Sequence, residues 1–249
     1  TDITERRALE EELIKAQRLD SIGTLAGGLA HDYNNLLTAI MGNMELANLH
    51  IAQDSQAQEF LAKARNAALT ARDLTRQLIT FSQGGYPQGT VMPIGELLKE
   101  SARLGLSGSH IKTAWRIADD LPEVKIDANQ IRQAIYNIVI NAQEAMPDGG
   151  TLFIAADKTL LGPDNPMRLP QGTYVRLEFR DEGRGITAEN LPKVFDPYFT
   201  TKGMGSTKGI GLGLSICYSI IKRHGGQIIV ESTLGIGTTV SVYIPKGYA

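Results

Sequence analysis

Three amide side chains, Gln133, Asn137 and Asn141, recur at intervals of four, so on a helix they share one face. Ile131, Ala134, Ile135, Ile138, Val139, Ile140 and Ala142 surround them. An amide in apolar surroundings must be hydrogen-bonded or must coordinate something. Amide oxygens are hard donors that suit Mg²⁺, which keeps waters and phosphate oxygens in its shell. The plainer alternative is a set of structural amides capping loops. A second run, Arg180-Asp181-Glu182-Gly183-Arg184-Gly185-Ile186, closes a strand. Its glycines let backbone approach a ligand, and a carboxylate there can accept from an exocyclic amine such as that of adenine. A simple turn would use the same residues. The third run, Lys208-Gly209-Ile210-Gly211-Leu212-Gly213-Leu214-Ser215, opens a helix, where backbone N–H groups favour phosphate. It is neither a Walker loop nor a dinucleotide fingerprint, because no Gly-Lys-Ser/Thr follows and no strand directly precedes it. Lys202 and Lys208, in the stretch leading into that helix, either pair with phosphate charge or stay solvated.

The fourth reactive group is His31, with the Asp32 carboxylate beside it. At about 100° per residue, Ile22, Leu25, Leu29, Leu36 and Ile40 form one apolar stripe. His31 falls opposite that stripe, and Asn35 follows one turn later on nearly the same face. The imidazole therefore sits on the wet face of a helix, where a histidine is either plain surface or a group that something else must reach.

The elements around these groups divide the chain in two. Residues 5–48 carry helical periodicity without proline, and a second helical pattern runs from Gln56 to Phe81. A helical hairpin with an unburied stripe is half of a four-helix bundle, which predicts a homodimer. Gly84-Gly85-Tyr86-Pro87-Gln88-Gly89 ends all periodicity and reads as the linker. Residues 1–86 are thus expected to be one domain and 87–249 another, with mixed α/β texture. Strands are expected at Val91–Ile94, Ile111–Ile117, Thr151–Leu160 and around Val175, Leu177 and Phe179. Helices are expected from Gly95 to Leu104, from Asp127 (as N-cap) to Met146, from Thr187 to Val194 and from Leu214 to Arg223. A hairpin of Gln227–Glu231 and Thr238–Ile244 ends the pattern.

Composition narrows the partners. A net charge of −2 over 249 residues argues against nucleic acid and against an anionic membrane surface. No apolar run approaches a membrane span and no signal-peptide pattern opens the chain, so no direct membrane contact is expected. The single cysteine, Cys217, excludes an internal disulfide and fits a reducing, cytoplasmic setting. Thr1-Asp2-Ile3-Thr4-Glu5-Arg6 is charged, lacks Met and runs straight into helix, which reads as a piece of a longer chain.

Five motifs occur in order: His31-Asp32-x-x-Asn35, Asn137-x-x-x-Asn141-Ala142, Asp181-x-Gly183-x-Gly185, Phe195-Asp196-Pro197-Tyr198-Phe199 and Gly209-x-Gly211-x-Gly213-Leu214. Together they resemble the H, N, first-glycine, F and second-glycine boxes of a two-component sensor histidine kinase, over nearly the whole chain. The opening residues more weakly resemble the end of a PAS sensor domain, implying a sensor domain ahead of this chain. The resemblance implies a helical hairpin that dimerises, followed by an α/β sandwich of the GHKL (Bergerat) type that binds ATP with Mg²⁺. It implies His31 as phosphoacceptor, Asp32 as its base or orienting partner, and Asn35 as the group that orients a water for dephosphorylation of a partner. Asn141 would hold Mg²⁺, supported by Gln133 and Asn137. Asp181 would bind adenine, with Gly183 and Gly185 shaping its surroundings. Phe199, Lys202, Lys208, Gly209, Gly211, Gly213 and Leu214 would belong to the lid and phosphate region.

Departures from the family pattern also inform. Many members carry Glu after the histidine and Pro five residues beyond it, where this chain has Asp32 and Leu36. That form resembles a subgroup found in hybrid kinases that carry receiver domains. Gly27-Gly28 would replace the missing proline as a bend. Glu144 stands where some members have a basic residue, leaving Lys202 or Lys208 as the γ-phosphate contact. The expected activity is ATP-dependent autophosphorylation of His31 and transfer to a response-regulator aspartate. The competing readings on the same scaffold are a response-regulator phosphatase and a non-catalytic nucleotide-binding dimer.

Overall fold

The structure is a computed structural model that describes residues 33, 35–49, 56–82, 87, 89–201 and 211–247. The expectations for His31, Asp32, Gly27, Gly28, Lys202, Lys208 and Gly209, and most of those for the linker, lie outside the described residues. The chain divides into two units, Thr1–Gly85 and Tyr86–Ala249.

In the first unit, helical periodicity becomes helix. Residues 35–49 form α1 and Gln56–Ser82 form α2. Their apolar side chains are incompletely covered: Leu36, Ile40, Leu46, Leu49 and Phe60 are all at least half exposed. No helix among the described residues is long and apolar enough to cross a membrane.

The second unit is a helical layer on a mixed sheet. Its elements are β1 (Thr90–Met92), α3 (Ile94–Gly105), β2 (Ile111–Ile117), β3 (Val124–Ile126), α4 (Ala128–Ala145), β4 (Gly150–Leu161), β5 (Gly172–Asp181), α5 (Gly213–Arg223), β6 (Gln227–Thr233) and β7 (Gly237–Pro245). Five strands run in the order β2-β4-β5-β7-β6, with β2 parallel to β4 and the other pairs antiparallel. β1 and β3 form a separate antiparallel ribbon. α4 packs between α3 and α5.

Strand alternation decides which sheet face carries the helices. Ile154, Phe179, Val240 and Val230 are register partners across four strands, and all are buried. Full burial of each such side chain contributes about 1.5–3 kcal/mol. The opposite face is polar: Arg116 lies 3.7 Å from Asp157, Arg176 pairs with Glu178, and Arg180 sits 4.4 Å above the Phe153 ring.

One sequence expectation changes, and one strand is additional to those expected. Residues 187–194 form turns and a 3-10 turn at Leu191–Lys193 rather than a helix. Pro192 lacks an N–H and disfavours α geometry in the residue before it. β3 was not anticipated, since three residues with one exposed lysine between two buried side chains are too short a pattern to stand out.

Candidate functional site

Asp127 starts α4 as its N-cap: its Oδ1 accepts from the N–H groups of Asn129 (3.0 Å) and Gln130 (3.2 Å). This satisfies two of the helix's orphan donors, and one face of α4 packs on α5. On that face Asn137 is buried, and its Nδ2 donates to the carbonyl of Gly213 at 3.4 Å. One turn on, Asn141 lies so close to Gly213 that an added Cβ there would be 3.5 Å from Asn141 Nδ2 and 3.8 Å from Oδ1. The side-chain atoms nearest to Gly213 belong to Asn141 and Asn137, not to Gln133, which is half-buried one turn back. The buried Asn141 Nδ2 has no hydrogen-bond partner. A buried amide left in that state costs about 1–3 kcal/mol, which suits a residue whose partner is a ligand.

Gly213 opens α5, and no side chain caps that helix start. Leu214 follows in the first turn, half-buried, and the Ser215 hydroxyl turns back to the Leu212 carbonyl at 2.9 Å. Gly211, just ahead, has φ +75°, and its Cα packs on the backbone of Tyr198 and Phe199. Tyr198 itself has φ +65°. The Phe-Asp-Pro-Tyr-Phe run and the second glycine run therefore meet backbone to backbone, at a distance only glycine permits. Phe199 is half-buried there, and Phe195 stacks on Tyr218 of α5 at 5.3 Å.

Asp181 ends β5 on the helix-covered face and is buried. Its Oδ1 accepts from Gly183 N (2.9 Å) and Thr238 N (3.2 Å). Burial raises its pKa above the usual carboxylate value, while those two N–H groups pull it down. Neither bond falls on Oδ2. Gly183 packs against Ala145, at the end of α4, where an added Cβ would be 2.7 Å from the Ala145 Cβ, and Arg184 N donates to Ala145 O at 3.2 Å. Gly185 has φ +69° and touches the backbone of Thr233. Gly235 N donates to Arg184 O, and Ile186 N to Ser232 Oγ, each at 2.8 Å.

One stripe of α4 thus touches both glycine loops. Asn137 and Asn141 meet the start of α5, and Ala145 meets the Asp181 loop. Eight residues of helix separate Asn137 from Ala145, about 12 Å, which matches the reach of a nucleotide from base to phosphates. Among the described residues no group of three or more His, Cys, Asp or Glu could hold a metal. The donor set fits a cation held by one amide and by phosphate oxygens, not by an all-protein cage. Asn35 lies in α1, in the other unit.

Residues 126–248 match the model of the histidine kinase-, DNA gyrase B- and HSP90-like ATPases. The solved catalytic domain of histidine kinase ThkA is 31% identical, superimposes with a TM-score of 0.51, and is covered over 96% of its length by 64% of this chain. The chain belongs to the histidine kinase family of these ATPases. Sensor kinase CckA of Brucella abortus (strain 2308) is 38% identical over 98% of this histidine kinase chain, which spans 26% of that relative's length. ThkA in complex with the response regulator protein TrrA is 25% identical, with a TM-score of 0.60 over 99% of this chain and 68% of that one.

Sequence reasoning missed Thr238, Ser232 and Ala145 as supports of the first glycine loop of this histidine kinase. Thr238 is the register partner of Asp181 across β5 and β7. Its only sequence signal is a place just after Gly235-x-Gly237, in what reads as an ordinary hairpin turn.

Proposed function

We propose that the chain is the autokinase core of a two-component sensor kinase, with residues 1–86 as the phosphoacceptor and dimerisation domain and 87–249 as the ATP-binding domain. It takes the γ-phosphoryl group of Mg-ATP onto His31 and passes it to the aspartate of a response-regulator receiver domain. The supporting observation is the α4 stripe, whose Asn141 amide nitrogen lies buried without a hydrogen-bond partner beside the start of α5 while its far end holds the Asp181 loop.

Roles follow from chemistry. Asp181 Oδ2 accepts from the adenine amine, with Gly183 and Gly185 shaping its surroundings by letting the loop pack on Ala145 and Thr233. Asn141 offers its amide oxygen to Mg²⁺, with Gln133 behind it, and Asn137 ties α4 to α5. Bound Mg²⁺ supplies charge that offsets the phosphate oxygens. Phosphates lie against the N–H groups at Gly211, Gly213 and Leu214. Lys202 and Lys208 neutralise charge, with Gly209 leaving the backbone close and Phe199 bordering the site. Asp32 holds one ring nitrogen of His31 protonated, so the other carries the lone pair. That nitrogen bonds to phosphorus as the bond to the ADP oxygen breaks, and positioning and electrostatic relief do most of the work. In the reverse sense, Asn35 orients a water toward a partner's aspartyl phosphate.

The exposed Leu36, Ile40, Leu46, Leu49 and Phe60 support a homodimer through a four-helix bundle. The ThkA complex with a response regulator supports a receiver partner, and the similarity to sensor kinases supports a sensor domain ahead of this chain and a cytoplasmic place for it. The reading is tested by calorimetric titration of ATP into the full chain with and without Mg²⁺. Magnesium-dependent binding should disappear in Asn141→Ala, and its survival there would reject the metal assignment.

A further inference from the structure

α5 is fastened to α4 at both of its own ends. At one end Asn137 Nδ2 donates to Gly213 O. At the other, the Asp127 backbone N–H donates to Nε2 of His224 at 3.0 Å, joining the N-cap of α4 to the C-cap of α5. The His224 Nδ1 lies 2.8 Å from the Ile220 carbonyl, which can only accept. Nδ1 therefore carries the proton and Nε2 the lone pair, which is one neutral tautomer of the ring. His224 is buried. α5 is 11 residues long, about 16 Å, and a helix that short moves as a rod. Where its C-terminal end is held therefore sets where its first turn sits along α4.

We propose that His224 is a positioning residue for the nucleotide site: its neutral imidazole locks α5 in the register that holds Gly213 against Asn141, and protonation of the ring releases the lock. The inference rests on the reading of Asn141 and the α5 start as the place where nucleotide phosphates and metal bind. A proton on Nε2 would face the Asp127 N–H, two donors would meet, and the 3.0 Å bond would be lost.

Burial holds the ring pKa below its ordinary value, against the Ile220 carbonyl and the Asp127 carboxylate, which favour the charged form. The other charged or titratable groups on the elements packed around α5 are Arg132, Tyr136 and Glu144 on α4, Glu231 on β6, and Tyr243 and Lys246 on and just after β7. Cys217, Tyr218, Lys222 and Arg223 belong to α5 itself. Of all these, Asp127 is the one that bears on the ring electrostatically. A lowered folded-state pKa means that the lock is complete above the ordinary histidine value of about 6.5 and is lost as pH falls through the folded value, which lies lower. The rest of the histidines are His31, His50 and the exposed His110.

The test is affinity of the full chain for a non-hydrolysable ATP analogue with Mg²⁺, measured from about pH 8 to about pH 5.5, the range over which histidine titrates. His224→Gln keeps an acceptor for the Asp127 N–H that does not titrate in this range. The wild type should lose several-fold more affinity on acidification than His224→Gln, because titration of the nucleotide's phosphate is common to both. His110→Gln should follow the wild type, and His224→Ala, which leaves the Asp127 N–H unpaired, should bind weakly at every pH. Identical pH profiles for wild type and His224→Gln would overturn the proposal. Absence of binding by the wild type at every pH would instead reject the nucleotide site itself, and the proposal with it. A second measurement needs no variant. Coupling is reciprocal, so saturating nucleotide should lower the His224 pKa read from its imidazole NMR signals, and an unchanged pKa would overturn the proposal.

Discussion

Asp181 and Thr238 stand opposite each other across β5 and β7, and the Thr238 backbone N–H donates to Asp181 Oδ1 at 3.2 Å. With Gly183 N on the same oxygen, one side of the carboxylate is used to hold the loop. Burial raises the pKa of Asp181. A carboxyl whose pKa is higher folded than unfolded lowers stability once pH passes the unfolded value, so ionised Asp181 weakens the fold at neutral pH. Asp181→Asn retains an acceptor for both N–H groups and removes that cost. It is expected to melt at or above the wild-type temperature near pH 7, yet to bind ATP roughly tenfold or more weakly, because the adenine amine loses a charged acceptor. Calorimetric melting and ATP titration on the same preparation check both halves.

Gly213 offers a similar contrast at the other end of the α4 stripe. A Cβ there would be in ordinary contact with Asn141, 3.5 Å from Nδ2. Replacing a helical glycine by alanine contributes up to about 1 kcal/mol. Gly213→Ala should therefore leave the urea midpoint unchanged or raised, while the methyl group blocks approach to the Asn141 amide and weakens Mg-ATP binding.

Gly185 behaves differently, because its φ of +69° and the Thr233 backbone both exclude a side chain. Gly185→Ala should destabilise the second unit by about 2 kcal/mol or more, read as a lower urea midpoint with an unchanged slope.

The first unit is tested by self-association. Ile40 and Leu36 are 50% and 60% exposed, so a charge there harms the single chain little. Ile40→Glu should convert a dimer into a monomer in sedimentation equilibrium. A dimer of wild-type strength in that variant would remove the bundle face from α1.

Much of the α/β unit was legible because its signals are local. The four-residue spacing of Gln133, Asn137 and Asn141 placed the amides on one face, Asp127 marked its own helix start, and alternation found Val175, Leu177 and Phe179 as buried strand positions. What stayed hidden is what depends on distant partners. His224 and Asp127 are 97 positions apart, and nothing near either names the other. Thr238 meets Asp181 only because β5 and β7 pair in one register. The helix expected over residues 187–194 does not form, because Pro192 prevents it.

The proposed activity moves a phosphoryl group from ATP to His31. Incubation of the full chain with γ-labelled ATP and Mg²⁺, followed by acid and base treatment, tests it most directly. Phosphohistidine is predicted: label that is lost in acid, stable in base, and absent from His31→Ala. Label that persists in His31→Ala would contradict the account.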